Sequence, residues 1–153
     1  MALQILEIHH PALRIDGSER GLAANLEFYE GVLGLAADPK RPTLPGIPGL
    51  WINLGEVGQL HLIGGDQPSP LAKDGRTDRD PTAPHVALAV ADVVAARAEI
   101  DRMGVDYWVT VGMNGKQAQQ LFLRDPNGNM IEIHQVDQCR CRASSRRPAM
   151  AAE

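Results

Sequence analysis

His10, His61, His85 and Glu132 are the side chains of this sequence best suited to hold and use a metal ion. Each stands in a short aliphatic run: Pro11 and Leu13 follow His10, Leu60 and Leu62 flank His61, Val86 and Leu88 follow His85, and Ile131 and Ile133 flank Glu132. Successive side chains of a strand point to opposite faces. Pro11, Leu13 and Ile15 therefore share one face and His10, Ala12 and Arg14 the other, while Val86, Leu88 and Val90 oppose His85, Ala87 and Ala89. Each strand turns one donor to a common side, beside small residues that leave room, and its large aliphatics to a side expected beneath helices. Three imidazoles and a carboxylate suit Zn²⁺, Ni²⁺, Co²⁺, Fe²⁺ or Mn²⁺. Four protein donors in an octahedral site leave two positions open for a substrate with neighbouring oxygens, the arrangement a Lewis acid needs. His10, His85 and Glu132 form the expected core of the site, His61 is its optional fourth donor, and Glu132 is also the expected proton acceptor.

Other polar residues follow from the same alternation. Trp51, Asn53 and Gln59 are placed near the face of His61 and are pocket candidates. His9 is expected to point the opposite way, as a strand-edge residue. His134 shares the face of Glu132 and either orients that carboxylate or lines the rim. Lys116, in the loop from Val111 to Gln117, is read as a solvated lysine within reach of an anionic substrate.

The elements that must position these groups can be read in order. Leu3 to Ile15 is a strand signal, and Leu22 to Leu33 is helical, with Leu22, Leu26, Tyr29 and Leu33 on one stripe and Gly34 as a left-handed end. Strands are expected at Leu50–Leu54 and Gln59–Ile63, joined by the turn Gly55-Glu56-Val57-Gly58. The apolar pattern stops over 65–84, which reads as a linker or surface loop. A strand at His85–Val90 follows, then a helix at Val93–Met103, capped by Asp92, carrying the stripe Val93, Ala96, Ile100 and Met103, and ended by Gly104. Strands at Tyr107–Val111, Gln117–Leu123 and Met130–Val136 close the series, the last two joined by the turn Asp125-Pro126-Asn127-Gly128. Periodicity ends there, so 137–153 is expected to be a mobile tail.

The second half repeats the first. His85 follows His10 by 75 residues and Glu132 follows His61 by 71, with the difference falling in loops. The expected fold is α+β: two βαβββ modules, 1–64 and 85–136, joined by 65–84 and forming an open, barrel-like mixed sheet with helices packed outside.

Composition narrows the partners. A net charge of −4 disfavours a phosphate backbone as ligand, so no nucleic acid is expected. No apolar run approaches the length of a membrane helix, no signal-like start is present, and a cytoplasmic home follows as the expectation. Cys139 and Cys141 read as two reduced thiols without a role.

Two sets of motifs resemble the vicinal oxygen chelate superfamily of glyoxalase I, bleomycin resistance proteins and extradiol dioxygenases. His10-x-x-x-Arg14 and Phe28-Tyr29-x-x-Val32-Leu33-Gly34-Leu35 resemble its first half. His85-Val86-Ala87-Leu88 and Arg124-Asp125-Pro126-x-Gly128-Asn129-x-x-Glu132 resemble its second. The resemblance implies a divalent metal on His10, His61, His85 and Glu132, a small-molecule substrate such as a thiol adduct or carboxylate, and a homodimer. It also implies that Arg14 holds a substrate carboxylate. Bacterial glyoxalase I usually carries Glu where His61 stands, and ring-cleaving dioxygenases usually carry Tyr at the place of Phe122, which is read here as a substrate contact. Glyoxalase-like lyase or isomerase chemistry is the leading expectation. An Fe²⁺ dioxygenase and a non-catalytic binding protein of the bleomycin-resistance kind are the alternatives.

Overall fold

The pairing of strands explains how distant donors meet. In the computed structural model, which describes residues 2–55, 58–111, 119–136 and 138, β1 (Glu7–Arg14) runs antiparallel to β4 (His85–Val90), joining the two halves at their first strands. β1 pairs in parallel with β3 (Gly58–Ile63), which is flanked by β2 (Gly49–Leu54); β4 pairs in parallel with β7 (Met130–Gln135), which is followed by β6 (Gln119–Arg124) and β5 (Tyr107–Val111). The result is one mixed seven-stranded sheet of order β2-β3-β1-β4-β7-β6-β5, and it does not close. The repeat persists in the register: Ala12 faces His61 across β1–β3, and its counterpart Ala87 faces Glu132 across β4–β7.

Two helices, α1 (Glu19–Leu26) and α2 (Val93–Met103), pack on one face of this sheet. Ser18 caps α1 by accepting from the Gly21 N–H, and Asp92 caps α2 by accepting from the Val94 and Ala95 N–H groups. Gly104 ends α2 at φ 66°, a left-handed position that favours glycine. Val93, Ala96 and Ile100 of α2 bury against Leu121 and Ile133, a cluster in which each large side chain contributes roughly 1.5–3 kcal/mol by burial.

Several expectations need correction. Met103, the end of the α2 stripe, is 40% exposed. The first helix continues past Leu26 as a π-helical stretch, Glu27–Val32, whose wider turn changes the phase of the stripe. Tyr29 stays half-buried while Leu33 turns outward. The third strand of the first module shrinks to a single bridge between Ala37 and Ile52. Pro39, Pro42, Pro45 and Pro48 follow, and residues without an N–H cannot extend a ladder. The aliphatics of the two central strands do not all lie under helices: Ile8, Leu13 and Val86 are exposed between α1 and α2.

The 65–84 segment folds back over the opposite face of the sheet. Asp80, fully buried, accepts from the backbone N–H and the hydroxyl of both Ser69 and Thr82. Leu71 of this segment meets Leu44 and Ile47 of the proline-rich segment above Ala12 and Ile63, so both connections roof the inner face. The hairpin residues Glu56 and Val57, Lys116 with its loop, and the tail bearing Cys139 and Cys141 lie outside the described residues. No helix among the described residues is long and apolar enough to cross a membrane.

Candidate metal centre

Two rows of side chains cross the inner face of the sheet. One runs Trp51, His61, Ala12, His85; the other runs His10, Ala87, Glu132, Phe122, Trp108. An alanine stands between two donors in each row, Ala12 between His61 and His85 and Ala87 between His10 and Glu132, and leaves them room above its methyl group. His85 Nε2 lies 3.1 Å from Glu132 Oε2 and 3.3 Å from His10 Nε2, and His10 Nε2 lies 3.5 Å from Glu132 Oε2. Bonds of about 2.0–2.2 Å to one ion place its ligand atoms about 3.0–3.5 Å apart at octahedral to tetrahedral angles. The spacing of His10, His85 and Glu132 therefore fits a divalent ion, and all three are buried.

Hydrogen bonds behind the trio decide which atoms face inward. His85 Nδ1 donates to the Ala83 carbonyl at 2.7 Å, which turns Nε2 to the cluster. His9 Nε2 donates to the Gln138 carbonyl, an obligate acceptor, at 2.7 Å. The remaining His9 nitrogen, Nδ1, then accepts from His10 Nδ1 at 2.8 Å and leaves the His10 Nε2 lone pair free. Glu132 Oε1 is held at 2.8 Å by the amide of Gln120, so Oε2 is the oxygen presented.

His61 lines the same cavity but is committed differently. Asp38 accepts from the Gln59 amide nitrogen at 2.9 Å, which fixes Gln59 Oε1 toward His61 Nε2, also at 2.9 Å. The His61 ring is stacked between Trp51 and His10, with centroids 4.5 and 3.8 Å away. It stands beside the trio rather than in it. Trp51 and Phe122 line the cavity; Asn53 and Gln59 are buried behind it. Arg14 is not at the cavity: its guanidinium donates to the Gly65 carbonyl and to Thr82, pinning the 65–84 roof to the end of β1.

His9 is corrected from strand edge to interior. The β1–β4 register shifts between Ile8 and His10, and this bulge puts both His9 and His10 inside. His9 stacks on His134 at 4.2 Å, and His134 Nε2 stands 3.6 Å from Glu132 Oε1. Gln120, Asp38 and Arg41 were not singled out by the sequence. Gln120 had a signal, since it is two residues from Phe122 on the strand beside Glu132.

Burial, followed by the surrounding histidines, pushes His10 well below its usual value, and burial does the same to His61. Both rings are neutral, as ligation requires. Burial by itself would raise the Glu132 carboxyl, but the imidazoles around it, His85 before His134 and His9, outweigh burial and hold it at about 2. His9→Phe removes the acceptor that orients His10 and should weaken divalent metal binding by about 10–100-fold. Calorimetric titration with Zn²⁺ and Co²⁺ checks this, and an unchanged affinity would remove His9 from the site.

Half-sheets joined through their first strands, with donors on the inner face and helices outside, define the vicinal oxygen chelate fold. The chain belongs to the Glyoxalase/Bleomycin resistance protein/Dioxygenase superfamily, whose profile matches residues 8–133. It is 31% identical over 119 residues to the Arabidopsis thaliana protein Glyoxylase I 4, covering 77% of this chain and 66% of that relative's length. The fold is shared with methylmalonyl-CoA epimerase from Mycobacterium tuberculosis, at TM-score 0.64, 18% identity and coverage of 88% of this chain and 91% of that one. The Streptomyces coelicolor epimerase bound to 2-nitronate-propionyl-CoA gives 0.61 at 20% identity, covering 86% and 95%.

Proposed function

We propose that the chain is a divalent-metal-dependent enzyme of the glyoxalase type, acting as a lyase or isomerase on a small substrate with two adjacent oxygens. The observation that carries this reading is the trio His10, His85 and Glu132, with donor atoms 3.1–3.5 Å apart in a lined cavity. These residues would hold the ion, which when bound supplies Lewis acidity toward the substrate's oxygens. Glu132 is a carboxylate fixed by Gln120 at the trio, so it is the group to receive a proton from the carbon beside a polarised carbonyl. Trp51 and Phe122 wall the cavity and limit water. The relation to a protein named as a glyoxalase supports the same chemistry.

A second reading draws on one observation. With His61 Nε2 turned to Gln59, the remaining donors are two histidines and one carboxylate, a set that also serves non-haem Fe²⁺ oxygenases. Metal analysis and turnover assays separate the readings. The purified chain should carry close to one ion per site and turn over an α-ketoaldehyde–thiol adduct, lose that rate to a chelator, and recover it with added metal. Oxygen uptake on catechols with Fe²⁺ would favour the second reading. Ligand retention that survives metal stripping, with no turnover of either substrate, would make the chain a binding protein instead.

A further inference from the structure

Arg41 is the unexplained charge of the cavity. It is the one lysine or arginine among the described lining residues, and it projects from the proline-rich segment that roofs the site. Arg41 is half-buried, and Leu44, Ile47, Ile63 and Leu71, which line the cavity with it, offer it no charge. Two of its five N–H groups are used, Nη1 to the Pro42 carbonyl at 3.2 Å and Nη2 to the Ile47 carbonyl at 2.8 Å. The Nε atom is buried with no hydrogen-bond partner, and no carboxylate of the described residues pairs with the group.

A guanidinium cannot shed its proton to escape burial, so it needs an anion or must remain solvated. Glu132, the carboxylate of the cavity, is turned to His85 and Gln120 and makes no ion pair with Arg41. The backbone carbonyls meanwhile hold the guanidinium still, so its free donors are fixed before any ligand arrives, which lowers the cost of binding one. Burial also holds its pKa below the usual value, the mark of a cation without a counter-charge.

We infer that Arg41 is the substrate's anion anchor, and that the substrate is a short carboxylic acid whose adjacent oxygens face His10, His85 and Glu132 while its carboxylate pairs with Arg41. The inference rests on the proposed metal-centre reading for the oxygen end and on Arg41's own surroundings for the acid end. Arg41 and the trio line one cavity, so a single short molecule can meet both. Arg14, the arginine the sequence offered for this role, is occupied by Gly65 and Thr82.

Two hydroxamates test the assignment. Acetohydroxamate presents adjacent oxygens without a charge on its tail, and succinic monohydroxamate adds a carboxylate. On the Zn²⁺-loaded chain the second should bind at least about tenfold tighter, as expected for a hydrogen-bonded charge pair. Arg41→Gln should erase that advantage while leaving acetohydroxamate affinity in place, and Arg41→Lys should keep part of it. No advantage in the unsubstituted chain, or equal loss of both probes in Arg41→Gln, overturns the inference. If neither hydroxamate binding depends on metal, the metal-centre reading fails, and the acid end is judged separately on the metal-free chain. There the Arg41 Nε–H resonance should shift on titration with butyrate and not with butyramide. Identical responses to the two would dismiss Arg41 as an anchor.

Discussion

Glu132→Gln is expected to leave a folded chain that no longer holds a divalent ion, with affinity down more than about 100-fold and metal-dependent turnover lost. Loss of a hydrogen-bonded outer partner already costs about 10–100-fold, and Glu132 would be a direct ligand. The substitution keeps size and shape, so Gln120 retains an oxygen to bond at the position of Oε1. The amide nitrogen then falls where Oε2 stood, between His10 Nε2 and His85 Nε2. An N–H there donates to the lone pairs that a metal would use, and the site is satisfied without an ion. Metal analysis with a parallel thermal melt reads both halves of the prediction. Retention of metal within tenfold of the unsubstituted chain would mean that the three residues meet for another reason.

Much of this site is legible in the sequence because its rules are local. Strand alternation places His10, His61, His85 and Glu132 on one face, and Ala12 and Ala87 show where that face has room. Helix α2 is bounded by a capping Asp92 and a left-handed Gly104, both readable from residue type alone. The parts that do not show depend on contacts made only after folding. A single extra residue in β1 brings His9 inside, and alternation counted without that bulge sends it outward. The competition for His61 is settled by Asp38 orienting Gln59, residues that come together only because Ala37 bridges to Ile52 of β2 and β2 pairs with β3. Arg14 and Arg41 differ for the same reason. Their positions in the chain say nothing about which guanidinium a folded loop will occupy, and Thr82 and Gly65 claim Arg14.

Acid should unfold the metal-free chain from an unusually high pH. His10 and His61 are neutral when folded, and both are held well below the 6.5 of an exposed imidazole, burial being the largest cause. Below about 6.5 the unfolded chain takes up protons at these residues and the folded chain does not, so unfolding is favoured as pH falls. Their contribution is therefore complete above 6.5 and shrinks with acidification until the folded-state values are reached. The slope approaches about 1.4 kcal/mol per pH unit for each residue below 6.5, so the step from pH 6.5 to 5.5 removes roughly 2 kcal/mol for the two. One unit of acidification would remove a sizeable share of the roughly 5–15 kcal/mol that holds a domain together. Glu132 and Asp80 act in a lower window. Both carboxyls are depressed, so the stability they add is present above about 4 and is lost as pH falls toward their folded values, about 2 for Glu132. Denaturant unfolding at pH 7.5, 6.5 and 5.5 should thus show the steep loss between the last two points. Saturating Zn²⁺ should raise the whole curve, because an ion bound only to the folded chain adds stability by mass action. A flat profile from pH 7.5 to 5.5, or greater stability in acid, would show that the buried imidazoles carry protons and pair with Glu132, leaving no lone pairs for a metal.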